Sequence, residues 1–143
     1  MKNDIKTDGS AASLKGKKLG VLKGSTQEKY AKGELAGAGV EIIAYEAQDQ
    51  VYLDIKAGRL DGTVADVVEV KGGFLDPPDG KDYVFVGKPL GKFVNYFGDG
   101  AGIAVRKQDK DLRTMLDKGI TSLRTNGTWQ TINDKYFAGT SVW

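Results

Sequence analysis

The sequence predicts an α/β fold, a mostly parallel sheet with flanking helices. Three observations carry this. Short aliphatic or β-branched runs alternate with stretches of helical spacing over residues 18–86. The run Leu19-Gly20-Val21-Leu22-Lys23-Gly24-Ser25-Thr26-Gln27-Glu28 reads as a buried strand, a glycine turn and the start of a helix. The last third changes to long amphipathic spacing. Alternating strands and helices favour parallel pairing through right-handed crossovers. Ligands of such sheets sit outside the carboxyl ends of the strands.

Residues 1–15 form a polar lead-in, with Asp8-Gly9 as a turn. The first strand is expected over 18–22 and a helix over 25–36, shortened by Gly33 and Gly37. Val40-Glu41-Ile42-Ile43-Ala44-Tyr45 is β-branched and reads as the second strand. Asp49 is the expected N-cap of a helix over 50–58, with Val51 and Ile55 on one face. Arg59-Leu60-Asp61-Gly62 turns the chain into a third short strand, Thr63-Val64-Ala65, ending at Asp66. A helical stretch from Val67 to Lys71 runs into Gly72-Gly73. Asp76-Pro77-Pro78-Asp79-Gly80 has the composition of a loop, and Tyr83-Val84-Phe85-Val86 that of a fourth strand.

Gly98-Asp99-Gly100-Ala101-Gly102 is glycine-rich but precedes a strand-like run, Ile103-Ala104-Val105-Arg106, so it reads as a connector and not as a phosphate loop. Asp109 or Asp111 then caps a helix carrying Leu112, Met115, Leu116, Ile120 and Leu123 on one stripe. Asn126-Gly127 ends it, and Thr128 caps a second helix with Trp129, Ile132, Tyr136 and Phe137 on one side. Such a stripe packs against something and is assigned no ligand.

At 143 residues, one domain is the default, and one core is affordable. The 21 basic and 19 acidic residues leave a net charge of +2, too balanced for a nucleic-acid partner. With neither cysteine nor histidine, the chain has no disulfide, no Ser-His-Asp or Cys-His mechanism and no His-ligated zinc. No metal or cofactor is expected. No apolar run reaches membrane-span length, and Met1-Lys2-Asn3-Asp4-Ile5-Lys6 has no apolar signal region. The sequence therefore reads as cytoplasmic, or as starting after an export signal.

The expected site follows from the strand ends. Ser25 is a good N-cap, and Glu28 three residues later completes a capping box. Free N–H groups and the helix dipole at this start favour an anion. Thr26 and Gln27 add polar side chains there, and an ordinary capped turn has the same pattern. Asp66 lies just past another strand and, when ionised, accepts only, which suits an ammonium. It reads equally well as the N-cap of the stretch after it. An anion site beside a cation site matches an α-amino acid zwitterion.

Several stretches carry a resemblance. They are Leu14-Lys15-Gly16-Lys17, Gly20 to Glu28, Ala57-Gly58-Arg59-Leu60-Asp61, Gly73-Phe74-Leu75, Gly80-Lys81-Asp82-Tyr83, Tyr96-Phe97-Gly98-Asp99-Gly100, Leu123 to Thr128 and Lys135-Tyr136-Phe137. In this order they resemble the second half of periplasmic amino-acid-binding proteins of ABC importers, nearest to the lysine/arginine/ornithine- and histidine-binding group. The resemblance implies a type II periplasmic binding protein lobe, a truncated clamshell. It implies lobe two over about 1–95, a hinge crossing over 96–102, and a C-terminal strand and two helices over 103–143 that normally complete lobe one. It implies that Thr26 takes the ligand α-carboxylate with Ser25 and Gln27 beside it, that Asp66 takes the α-ammonium, and that Leu22 is an apolar wall. Arginine, lysine, ornithine or histidine is the expected ligand, membrane subunits of the transporter are expected partners, and the periplasm is the expected location. Against the resemblance the N-terminal half is expected to be missing, and Met1 directly before the lobe leads to the expectation of a truncated or split form. Weak binding and self-association through 103–137 are then expected.

Other readings compete. A phosphorylated receiver needs acidic residues after the first strand to hold Mg²⁺, and Lys23-Gly24 stands there instead. A dehydratase on the same scaffold would need paired carboxylates, and none is evident. A folding or assembly fragment without ligand remains compatible with the sequence.

Overall fold

A computed structural model of the chain describes residues 1–91, 95–98 and 102–137. The chain divides into two compact units, Met1–Asp99 and Gly100–Trp143.

The first unit is built on three parallel strands. β1 is Lys18–Leu22, β2 is Glu41–Tyr45 and β3 is Gly62–Thr63, in the order β2-β1-β3. Lys18 pairs with Glu41 and Leu22 with Tyr45, while Gly20 pairs with Thr63. Alternate strand residues feed two hydrophobic clusters, as the two-residue period of a strand requires. Leu19, Val21 and Ile42 join Leu14, Ala31, Leu35 and Val40 in one. Ile43 and Tyr45 pack with Val51, Tyr52, Ile55, Leu60, Val70, Phe74 and Tyr83 in the other. The sheet is therefore apolar on both faces, as expected of parallel strands with helices on either side.

Helix α1, Thr26–Tyr30, widens into a π-helical turn at Ala31–Leu35 and tightens to 3₁₀ at Ala36–Ala38. Helix α2 is Gln48–Lys56 and puts Val51 and Ile55 in the core. It starts earlier than the sequence suggests. Ala47 stands at the cap position with no side-chain cap bond, and Asp49 falls inside the first turn. The buried Gln48 side chain donates to the Thr63 hydroxyl at 3.3 Å, which fixes the helix start one residue before Asp49. Helix α3, Val67–Val70, continues as a π turn through Lys71–Leu75, so Gly72-Gly73 does not end it. The Asp76–Gly80 loop holds one 3₁₀ turn, Pro78–Gly80.

The fourth strand does not form. Tyr83 makes only an isolated antiparallel bridge with Lys2, supported by Val84 N–H donating to Met1 O at 2.9 Å and Asn3 N–H to Asp82 O at 2.9 Å. The polar lead-in is what pairs there, and two residues are too few for a ladder. The lead-in also holds the expected turn at Asp8, whose carboxylate accepts from Ser10 N–H at 2.9 Å and Ser13 Oγ at 2.6 Å.

In the second unit, helix α4 is Lys110–Thr125 and helix α5 is Thr128–Tyr136. Asp109 occupies the cap position of α4 without a side-chain cap bond, because its carboxylate is held by Arg106 at 2.7 Å. Gly127, not Thr128, stands at the cap of α5. The expected strand at 103–106 is not formed. No described residue of this unit is buried, and Ile103, Met115, Ile132 and Tyr136 are exposed. The glycine-rich connector lies largely outside the described residues, since 99–101 are not among them.

Candidate functional site

The strand order decides where the site can be. The connection from β1 leaves to β2 on one side, and the chain returns from β2 to β3 on the other side of β1. The carboxyl ends of β1 and β3 are thus where successive connections diverge, the place at which open α/β sheets leave a crevice. The segments that follow these two strands carry the residues expected from sequence. Thr26 opens the helix after β1, and Asp66 stands three residues past the end of β3. The topology brings them to one edge of the sheet, in the segments that follow neighbouring strands.

Leu22 closes β1 and is half-buried. Gly24 turns the chain at φ 76°, a conformation that a side chain resists. Ser25 caps α1, its Oγ accepting from Glu28 N–H at 3.0 Å. The reciprocal half of the capping box is displaced. Glu28 reaches past Ser25 to accept from Gly24 N–H at 2.6 Å, and its other oxygen accepts from Lys32 at 2.7 Å. These bonds, led by Lys32, hold the Glu28 carboxyl below its ordinary range. The Thr26 hydroxyl is exposed and donates to Gln27 Oε1 at 3.1 Å. Among the described residues the Thr26 and Gln27 N–H groups carry no hydrogen bond, as the first donors of a helix do.

Asp66 is exposed and caps α3, its Oδ1 accepting from Val68 N–H at 2.9 Å and Glu69 N–H at 3.2 Å. The capping reading of Asp66 is the one formed here, with one carboxylate oxygen committed to the helix.

Behind this edge lies a polar group the sequence reading missed. Gln48 is 7% exposed, and its Oε1 has no hydrogen-bond partner. Tyr52 is 5% exposed, and its hydroxyl has none either. Burial, followed by the charge of Glu69, pushes the Tyr52 hydroxyl up to about 12, although the nearby Gln48 amide opposes this. The amide is near enough to ease ionisation but outside hydrogen-bond geometry. Burial also raises the Glu69 carboxyl, with Asp66 and then Asp49 adding to it. Among the described residues, no group of three metal-ligating side chains is assembled.

Residues 6–139 match the profile of the bacterial extracellular solute-binding proteins, family 3. The chain is 48% identical over 138 residues to the L-arginine-binding protein of Pseudomonas aeruginosa, covering 96% of this chain and 53% of that protein. It is 47% identical over 125 residues to the lysine/arginine/ornithine-binding periplasmic protein of Escherichia coli, covering 87% of this chain and 48% of the relative. An ancestral arginine-binding protein, solved bound to arginine, superposes with a TM-score of 0.66 at 31% identity, over 94% of this chain and 56% of that one. The chain therefore spans about half the length of the curated relatives it matches. The fold is a lobe of the type II periplasmic binding protein class. By sequence over nearly its whole length, the chain belongs to the bacterial extracellular solute-binding proteins, family 3.

Proposed function

We propose that the carboxyl edge of β1 and β3 is one half of a binding site for a free L-amino acid of the basic or polar class, in the solute-binding component of an amino-acid ABC importer. The observation that carries this is the strand order: β1 and β3 are neighbours, and the α1 start and Asp66 follow their carboxyl ends, where successive connections diverge. The unpaired Thr26 and Gln27 N–H groups suit the ligand carboxylate, with the Ser25 turn fixing their direction. Asp66 suits the α-ammonium through the oxygen not committed to the α3 cap. Leu22 supplies an apolar wall. Arginine, lysine, ornithine or histidine is the ligand class that the relatives' names support. Membrane subunits of the importer are the partners, and the periplasm is the place of action.

Residues 1–95 act as lobe two, 96–102 as the hinge crossing, and 103–143 as the part that completes the other lobe. Half of a cleft encloses little of its ligand, so binding is weak, about millimolar. The exposed apolar stripe of α4 and α5 favours self-association of the chain as it stands.

Amide chemical shifts during titration with arginine, lysine and histidine test the binding reading. Expected are saturable shifts at Thr26, Gln27 and Asp66, lost in Asp66→Asn, which keeps a good N-cap and removes the charge. Tight binding unaffected by Asp66→Asn, or no response at Thr26 to any of the three, overturns it.

A further inference from the structure

We infer that Asn126 is a site of spontaneous covalent modification, closing on the Gly127 nitrogen to a succinimide that opens to aspartate or isoaspartate. The reaction is independent of ligand binding. Asn126 and Gly127 form the exposed turn between α4 and α5. Thr128 N–H donates to Asn126 Oδ1 at 3.0 Å. A backbone N–H only donates, so it is the amide oxygen that faces Thr128. The nucleophile is free. Among the described residues Gly127 N–H carries no hydrogen bond, although Asn126 N–H donates to Ser122 O at 3.0 Å and Thr128 N–H is taken by the side chain. Gly127 stands at φ 78°, and an added Cβ would meet nothing within 4 Å. With neither a side chain nor neighbours there, the Asn126 ψ of 3° has room to rotate and carry the nitrogen toward Cγ.

The step needs only the chain and water. Gly127 N gives its proton to solvent base and bonds to Asn126 Cγ. Negative charge collects on Oδ1, where Thr128 N–H already donates and so serves as an oxyanion donor. The Cγ–Nδ2 bond breaks, and the amide nitrogen takes a proton and leaves as ammonia. Water then adds to either carbonyl of the ring. Breaking the Cγ–N bond restores the chain with aspartate, and breaking the other C–N bond leaves isoaspartate. No electrons are exchanged. Either product puts a carboxylate at the carboxyl end of α4, where the helix dipole opposes it, and lowers the net charge of +2 by one. Isoaspartate also adds a methylene to the main chain in the turn that joins the helices. Asn3 and Asn133 lack this setting. Each precedes an aspartate, whose side chain crowds the nitrogen, and Asn133 lies inside α5.

The test incubates the whole chain in mildly alkaline buffer made with heavy-oxygen water and follows its tryptic peptides by fragmentation mass spectrometry. A parallel sample in urea removes the turn. Expected at Asn126 in the folded chain is exchange of NH for O with uptake of tracer oxygen, with aspartate and isoaspartate both formed. The rate there is expected to exceed that at Asn3 and Asn133 several-fold in the same sample, and to rise with pH. If Asn126 stays intact in the folded chain while it converts in urea, the turn protects the residue and the inference is overturned. Equal rates at Asn3, Asn126 and Asn133 overturn it as well. Aspartate without isoaspartate shows direct hydrolysis of the amide and overturns the cyclic route.

Discussion

Two residues at the sheet edge, Ser25 and Asp66, were legible because their chemistry is local. Each caps a helix through atoms two or three residues away. Gln48 was not legible, because its burial depends on Thr63, fifteen positions along the chain and on another element. A polar residue beside Asp49 reads as surface until the fold closes over it. The same closure strands the Tyr52 hydroxyl, and two consequences follow. Burial holds the Tyr52 proton in the folded state up to about 12, against an ordinary 10.0 in the unfolded chain. Because the folded state holds this proton more tightly, the group costs no pH-dependent stability below pH 10, and stability falls as pH rises from there through about 12. Absorbance titration of tyrosinate should therefore show a late component that disappears in Tyr52→Phe. The same variant should be as stable as wild type or more so, since it removes a buried group with no partner. A loss above about 1 kcal/mol in urea unfolding would show that the hydroxyl is satisfied after all.

Elements were legible where one periodicity ran unbroken, and less so where neighbours decided the geometry. β1 appears at its expected bounds, and β2 lacks only Val40. The run 83–86 has strand composition, yet among the described residues it bridges only to the chain's first residues, so it stops at one bridge. The helix expected over 25–36 is helical throughout, but its middle widens into a π turn around Gly33. An aromatic residue stands opposite. Tyr96 lies against Gly33, where a Cβ would collide with its ring. Tyr96 also donates to Glu34 at 3.1 Å and meets the Tyr30 ring edge-on at 5.8 Å, with Phe97 5.6 Å from the same ring. Residues 95–98 are thus held to the helical run by aromatic contacts that a bare glycine permits. Gly33→Val should expel Tyr96, shift the Tyr30 ring resonances and speed hydrogen exchange at residues 95–98. Two aromatic pairs put the cost at about 1–2 kcal/mol. Unchanged Tyr30 resonances in that variant would mean that the glycine is incidental to this seat.

At the scale of the whole chain, burial is divided unequally. Both hydrophobic clusters draw only on residues of Met1–Asp99, whereas no described residue of Gly100–Trp143 is buried. The helical stripe of the last third was plain in the sequence, because its 3.6-residue period is a property of the segment alone. What covers it was not, because that depends on atoms outside the segment. Leu112, Met115, Leu123, Ile132 and Tyr136 are all exposed, with Met115 at 63% and Tyr136 at 61%. Leu116, Ile120 and Trp129 are half-buried where α4 meets α5, but a helix pair that leaves this much apolar surface exposed is only partly held by its own contacts, and isolated helices of this length are marginal in water. A second copy offers the same stripe, so association lets each cover the other. Light scattering should therefore give a mass above 15.4 kDa that rises with concentration. Met115→Lys with Ile132→Lys should return the chain to a monomer and lower the helical circular dichroism, while amide shifts at Thr26 and Asp66 stay in place. A wild-type monomer with full helicity would place the stripe's stability in the segment itself and remove the reason for association.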